Sequence, residues 1–201
     1  MTDDAPALEL NAAAALAIAR AETELLRAEL AAARRRVAEL EVLADRDPLT
    51  PALNRRAFLR ELQRTLAYCE RYKTEASLAF FDMDGFKAVN DRFGHAAGDA
   101  ALQWVAAKLA ASVRESDLVG RLGGDEFAVV LVHTDAATAK PKALKLAEAV
   151  EDEPLVFEGH AIALRVSVGV CALIPGMSAA EMIAEADAAM FLAKGSRGGV
   201  R

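Results

Sequence analysis

A glycine pair followed by two carboxylates, Gly123-Gly124-Asp125-Glu126, separates two segments of strand character. Ser116 to Leu122 precedes it, and the apolar run Phe127-Ala128-Val129-Val130-Leu131-Val132 follows. Successive glycines permit a tight reversal and let a ligand approach the backbone closely. The segment therefore predicts a central β-hairpin with Asp125 and Glu126 displayed at its tip, and the remaining elements have to be arranged around it. Two adjacent carboxylates at such a turn suit a hard divalent cation. The same letters also suit an ordinary hairpin with a solvated acidic turn.

A second acidic site decides between them. The apolar run Leu78-Ala79-Phe80-Phe81 ends in Asp82-Met83-Asp84-Gly85-Phe86-Lys87. Strand alternation puts Asp82 and Asp84 on one face. Uncompensated carboxylates are a poor choice for packing, whereas Mg2+ binds through a few carboxylates plus substrate phosphates. Lys87 follows within one turn, in reach of a phosphate or leaving group. Asn90-Asp91-Arg92-Phe93-Gly94-His95-Ala96-Ala97-Gly98-Asp99 then reads as a polar, glycine-punctuated connection into a helix. Asn90 and Asp99 have the donors and acceptors to read a base edge; Asp99 also suits a helix N-cap ahead of Ala100.

These pieces, in this order, resemble the GGDEF family of diguanylate cyclases. The resemblance rests on Asp47-Pro48-Leu49-Thr50 with Asn54-Arg55-Arg56, on Phe81 to Asp99 (the family's FDxDxFKxxND…GHxxGD), on Gly123 to Phe127, and on Asp187 to Lys194. It spans roughly residues 45 to 198. It implies condensation of two GTP into cyclic di-GMP with release of two pyrophosphates, by two domains meeting face to face. By position, Asp82, the Met83 carbonyl, Asp125 and Glu126 would hold Mg2+, with Mn2+ as the alternative metal. Asp125 or Glu126 would assist deprotonation of the attacking 3′-hydroxyl, and Lys87 would stabilise transition-state charge. Asn90 and Asp99 would read guanine, and Lys194 would contact the terminal phosphates. His95, between two glycines, falls either with these substrate-side residues or in a structural turn. Arg114 and Asp117 fit the family's RxxD inhibitory product site, since Arg can clamp a guanine edge and a phosphate; unaided, that pair is equally a surface ion pair. A second basic residue for this site is not evident, Lys145 being the nearest candidate.

Departures from the family pattern are local. Thr50-Pro51-Ala52 stands where Thr-Gly-Leu is usual. In Ala193-Lys194-Gly195-Ser196-Arg197-Gly198-Gly199 the family's second phosphate-contacting Arg falls on Gly198, with Arg197 one position early. The intact turn, Asp82 and Lys87 favour an active cyclase. A non-catalytic module that binds GTP or cyclic di-GMP and signals through a coiled coil is the alternative.

Residues 5 to 44 contain no Gly, and Ala, Leu, Glu and Arg dominate. A heptad places Leu16, Thr23, Leu30, Val37 and Ala44 at a, and Ala12, Ala19, Leu26, Ala33 and Leu40 at d. In a parallel dimer Glu22 faces Arg27, Glu29 faces Arg34 and Arg36 faces Glu41, all opposite in sign, whereas an antiparallel pair sets Arg near Arg. Residues 1–46 are therefore expected to form a parallel coiled-coil dimerisation helix, and 47–201 a catalytic domain. No stretch reads as a membrane span, since Arg and Glu interrupt the Ala-rich region, and the acidic start is not a signal peptide. Net charge of −6 argues against generic nucleic-acid binding. The two cysteines, Cys69 and Cys171, form no framework. A cytoplasmic homodimer with no membrane or nucleic-acid partner is the expectation.

From Asp47 onward the patterns predict helices over 56–72, 98–113, 138–150 and 178–194, and strands over 76–81, 116–122, 127–132, 155–157 and 161–173. Pro141 should lie in a first helical turn, and Gly195 should stop the last helix. The β-α-β-β-α-β order predicts an α+β, ferredoxin-like antiparallel sheet flanked by helices, of the kind shared by nucleotide cyclases.

Overall fold

The computed structural model describes residues 20, 22–34, 36 and 45–197, with side chains through Lys194. The chain divides into two compact units, residues 1–44 and 45–201. In the first, residues 22–34 form a helix, α1, on which Leu26 and Leu30 are 57% and 51% exposed. Arg27 pairs within this helix with Glu24 at 2.9 Å. The heptad positions in 1–19 and 37–44 lie outside the described residues. No helix among the described residues is long and apolar enough to cross a membrane.

The second unit runs α2 (Arg55–Tyr72), β1 (Ala76–Met83), α3 (Phe86–Phe93), α4 (His95–Ala111), β2 (Leu118–Arg121), β3 (Glu126–Val132), α5 (Ala136–Glu151), β4 (Leu155–Phe157), β5 (His160–Ile162), β6 (Val166–Ala172) and α6 (Ala179–Arg197). Strands β2-β3-β1-β6 form one sheet, antiparallel throughout, and β4 and β5 form a separate hairpin. This is the order the split β-α-β pattern requires, and it makes β1 and β3 the two inner strands.

Period-2 alternation sorts the inner strands onto two cores. Ala79, Phe81 and Met83 with Phe127, Val129 and Leu131 pack against Val105 and Leu109 of α4 and Leu146 and Val150 of α5. Leu78 and Phe80 with Ala128 and Val130 pack against Phe58, Leu62 and Leu66 of α2 and Met182, Ala186 and Met190 of α6. A helix layer thus covers each face. Helix α6 lies so close to β6 that a Cβ on Gly169 would overlap the backbone of Ala186 and Met190.

Several elements differ from expectation. The stretch read as a polar connection is two helices meeting at Gly94, which serves as C-cap of α3 and N-cap of α4. Asp99 consequently sits inside α4 and caps nothing. The expected strand over 161–173 is broken at 163–165; Leu164 stays buried there, so core burial alone continues the alternation. Helix α6 starts at a reciprocal cap between Ser178 and Glu181 and runs through Gly195 to Arg197, since glycine inside a helix is costly but tolerated. Pro141 lies in the second turn of α5, not the first, at the loss of one backbone hydrogen bond. Both cysteines are free thiols, as expected.

Candidate active site

The antiparallel register of β1 and β3 sets Asp82 directly opposite Glu126. One step further, the Met83 N–H donates to the Asp125 carbonyl at 3.2 Å. The two acidic segments, far apart in sequence, therefore meet at one end of the sheet. Only Asp125 lies in the turn; Glu126 is the first residue of β3, and the Leu122 N–H closes the hairpin on its carbonyl at 2.8 Å. Both side chains are half-buried.

The turn is pinned from outside its own hairpin. Arg121 donates through Nη2 and Nε to the Gly124 carbonyl (2.7 and 3.2 Å) and through Nη1 to Asp47 Oδ1 (3.1 Å). The same Asp47 oxygen accepts from the Thr50 N–H and hydroxyl, at 2.9 and 2.8 Å. Burial pushes the Asp47 carboxyl upward, but the bonds from Thr50 and Arg121 hold it below its ordinary value. Leu53 hydrogen-bonds with Val119 and Arg121, so the segment after Asp47 runs beside β2. Arg55 donates to the Leu122 carbonyl at 2.9 Å. Sequence reasoning used Asp47 as a motif letter and gave Arg121 no role; the position of Arg121 immediately before the glycine turn was the available signal.

Negative charge is in excess here. Glu126 is held above its ordinary value first by burial, then by the fields of Asp125, Asp82 and Asp187, with Arg55 opposing. Asp187, on α6, had been assigned no role. Lys194, from the same helix, donates to Asp82 and lies 3.2 Å from Asp84. Its partial burial works against the charge, but the bonds to Asp82 and Asp84 outweigh that and raise its affinity for the proton. Asp84 also accepts from the Ser167 hydroxyl at 2.9 Å.

A raised Glu126 means that the folded protein holds this proton more tightly than the unfolded chain does. The associated stability is present below the ordinary glutamate value and is lost as pH rises through the raised one. Glu126→Gln is therefore expected to raise the melting midpoint at pH 7 and to flatten the slope of stability between acidic and neutral pH. Circular-dichroism melts across that range check both.

Among the described residues no three carboxylate or imidazole side chains converge into a ready-made cage. The donors available, Asp82, Asp125 and Glu126 with the Met83 carbonyl, are all oxygen. They suit a hard cation that keeps its own waters and takes substrate oxygens, as Mg2+ does. The mutual repulsion that raises Glu126, and the ammonium that Asp82 already attracts, show that this cluster favours positive charge.

On the other side of β1, helices α3 and α4 bring Asn90 against Gly98, the neighbour of Asp99. A Cβ at Gly98 would overlap the Asn90 Oδ1. Asp99, Lys87 and His95 are exposed, His95 as the first residue of α4. Arg114 and Asp117 close a turn in which Asp117 accepts from the Arg114 and Val132 N–H groups (3.1 and 3.0 Å). This turn borders a cavity of about 300 Å³ that Lys142 and Lys145 also line. The side chain of Arg197, and Gly198, lie outside the described residues.

Comparison with known proteins agrees with this geometry. The family model of the diguanylate cyclase GGDEF domain matches residues 44–199. The chain is 38% identical over 156 residues to a probable diguanylate cyclase, DgcC, of Escherichia coli, covering 77% of this chain and 42% of that protein. It is 36% identical over 167 residues to diguanylate cyclase TpbB of Pseudomonas aeruginosa, covering 82% and 38%. The chain thus spans less than half the length of these curated relatives. Among solved structures, diguanylate cyclase SiaD of Pseudomonas aeruginosa, in complex with its activator SiaC, matches with TM-score 0.79 at 31% identity, over 96% of this chain and 75% of that one. The coiled coil and GGDEF domain of DgcB from Caulobacter crescentus, in complex with c-di-GMP, matches with TM-score 0.71 at 33% identity, over 92% and 94%. With Asp82 facing the Gly123–Glu126 turn and most of the chain covered by the match, this protein belongs to the diguanylate cyclase GGDEF-domain family.

Proposed function

We propose that the chain is an active diguanylate cyclase, condensing two GTP into cyclic di-GMP and two pyrophosphates. The observation that carries this is the register that sets Asp82 opposite Glu126 and Met83 against the Asp125 carbonyl. Asp82, the Met83 carbonyl, Asp125 and Glu126 would hold Mg2+, or Mn2+ in its place. Bound there, the metal supplies Lewis-acid stabilisation of phosphate charge and a more acidic 3′-hydroxyl. Asn90 and Asp99 would bind the guanine edge and so fix the α-phosphate for in-line attack. Asp125 or Glu126 would accept the 3′-hydroxyl proton, and Lys87 would neutralise charge developing on the phosphates. His95, exposed at the start of α4, would lie on the substrate side.

Each domain would supply one GTP, so the reaction needs two chains. Residues 1–44 are proposed as the parallel dimerisation helix and the unit from Asp45 onward as the catalytic domain, two residues earlier than the sequence boundary at 46/47. The cavity bordered by Arg114 and Asp117, with Lys142 and Lys145, supports product inhibition there, and DgcB of Caulobacter crescentus has been solved in complex with c-di-GMP.

Gly98→Ala tests the guanine side without touching the carboxylates. Alanine favours a helix interior over glycine by ~1 kcal/mol, so thermal stability should hold or rise. The new methyl should displace Asn90 and raise the KM for GTP by about tenfold, the scale of one lost hydrogen bond to a base. Titration calorimetry with a non-hydrolysable GTP analogue, beside a melt, separates the two effects. The function as a whole is tested by Mg2+-dependent pyrophosphate release with chromatographic detection of cyclic di-GMP, at several protein dilutions and with added product. Absence of cyclic di-GMP under all these conditions would sink the proposal.

A further inference from the structure

Lys194 occupies a position that its expected phosphate contact does not explain. Its ammonium bridges Asp82 and Asp84, and it reaches them from a helix that Met182, Ala186 and Met190 fix to the sheet. The Ser167 hydroxyl lies 2.9 Å from both Asp84 oxygens and shares its one hydrogen between them, which helps hold Asp84 in place. The Lys194 side chain is 33% exposed, which leaves it a route outward. A divalent cation drawn to Asp82 would have to approach an ammonium already bonded there, and two cations against one carboxylate pair repel strongly at such range.

We infer that Lys194 is a tethered counter-cation, which neutralises Asp82 and Asp84 while no nucleotide is bound and transfers to the phosphates when metal and GTP arrive together. This rests on the metal site proposed above. The arrangement disfavours metal without nucleotide, because the ammonium then has no second anion to move to. With a triphosphate present it has one, and metal and nucleotide favour each other's binding. Such coupling is reciprocal, and Lys194 adds its share to the direct attraction between metal and phosphate.

The test is Mn2+ binding to the full chain, read from the loss of the free-ion electron paramagnetic resonance signal. Without nucleotide, Lys194→Gln and Lys194→Met are each expected to bind Mn2+ about tenfold more tightly than the wild type, from removal of a competing charge. After subtraction of the analogue's own Mn2+ binding, measured without protein, a non-hydrolysable GTP analogue should tighten Mn2+ binding more in the wild type than in either variant. Melting curves establish that each variant is folded, and the two substitutions differ in polarity so that one reports if the other does not. Equal or weaker Mn2+ affinity in the folded variants overturns the counter-cation role while leaving the metal site standing. No Mn2+ uptake by any of the three proteins, even with the analogue, overturns the metal site and this inference together.

Discussion

Asp125→Ala is expected to lower cyclic di-GMP formation by about a thousandfold, the scale for losing one group that stabilises charge in the transition state. The melting midpoint should move by no more than ~2 °C. The separation follows from which atoms do what. The Asp125 backbone carbonyl, not its carboxylate, receives the Met83 N–H, so the junction of β1 with the turn survives the substitution. The carboxylate itself is half-buried and raises the proton affinity of Glu126 by repulsion, so its loss removes an unfavourable term from the folded state. Turnover measured beside a melt settles the matter, and near-normal synthesis by this variant would remove Asp125 from the site.

Gly169→Ala is expected to have the largest effect on stability, about 3 kcal/mol from overpacking and a midpoint lower by roughly 9 °C. The added methyl would meet the Met190 N and Ala186 carbonyl, which are helix backbone and have no rotamer in which to retreat. Helix α6 must lift from β6, and Asp187 and Lys194 move with it. Denaturant unfolding gives the stability loss. A variant as stable as the wild type would mean that the helix shifts freely over the sheet.

The contrast between these two positions shows what the sequence made legible. The acidic turn, the strand ending in Asp82 and the strand order followed from alternation, glycine placement and a match to a known family. Asp82 and Asp84 were placed on one face by period alone, and one ammonium does reach both. Gly169, by comparison, is one residue in a valine-rich strand, and nothing local says that a helix backbone lies across it. The pairing of Asp47 with Arg121 is equally silent, because ion-pair partners this far apart obey no spacing rule. Helix α3 was missed for another reason, whereas α4 was expected from residue 98 and begins three residues earlier, at His95. Helix α3 is eight residues long, polar at half of its positions and bounded by Gly85 and Gly94, and its stripe of Phe86, Val89 and Phe93 is only partly buried against the first core, too short a run to mark a helix by itself.

Asp45 pairs with Arg60 on α2, Asp47 with Arg121, and Leu53 extends the sheet beside β2. The ten residues before α2 are thus upholstered into the catalytic domain rather than strung between it and what precedes it. For protein engineering this fixes a splice point. A foreign input module, such as a light- or ligand-responsive helix, should be joined ahead of Asp45. A graft made after Thr50, although it would keep every carboxylate of the site, would discard the Asp47 anchor on which the Gly124 turn is hung.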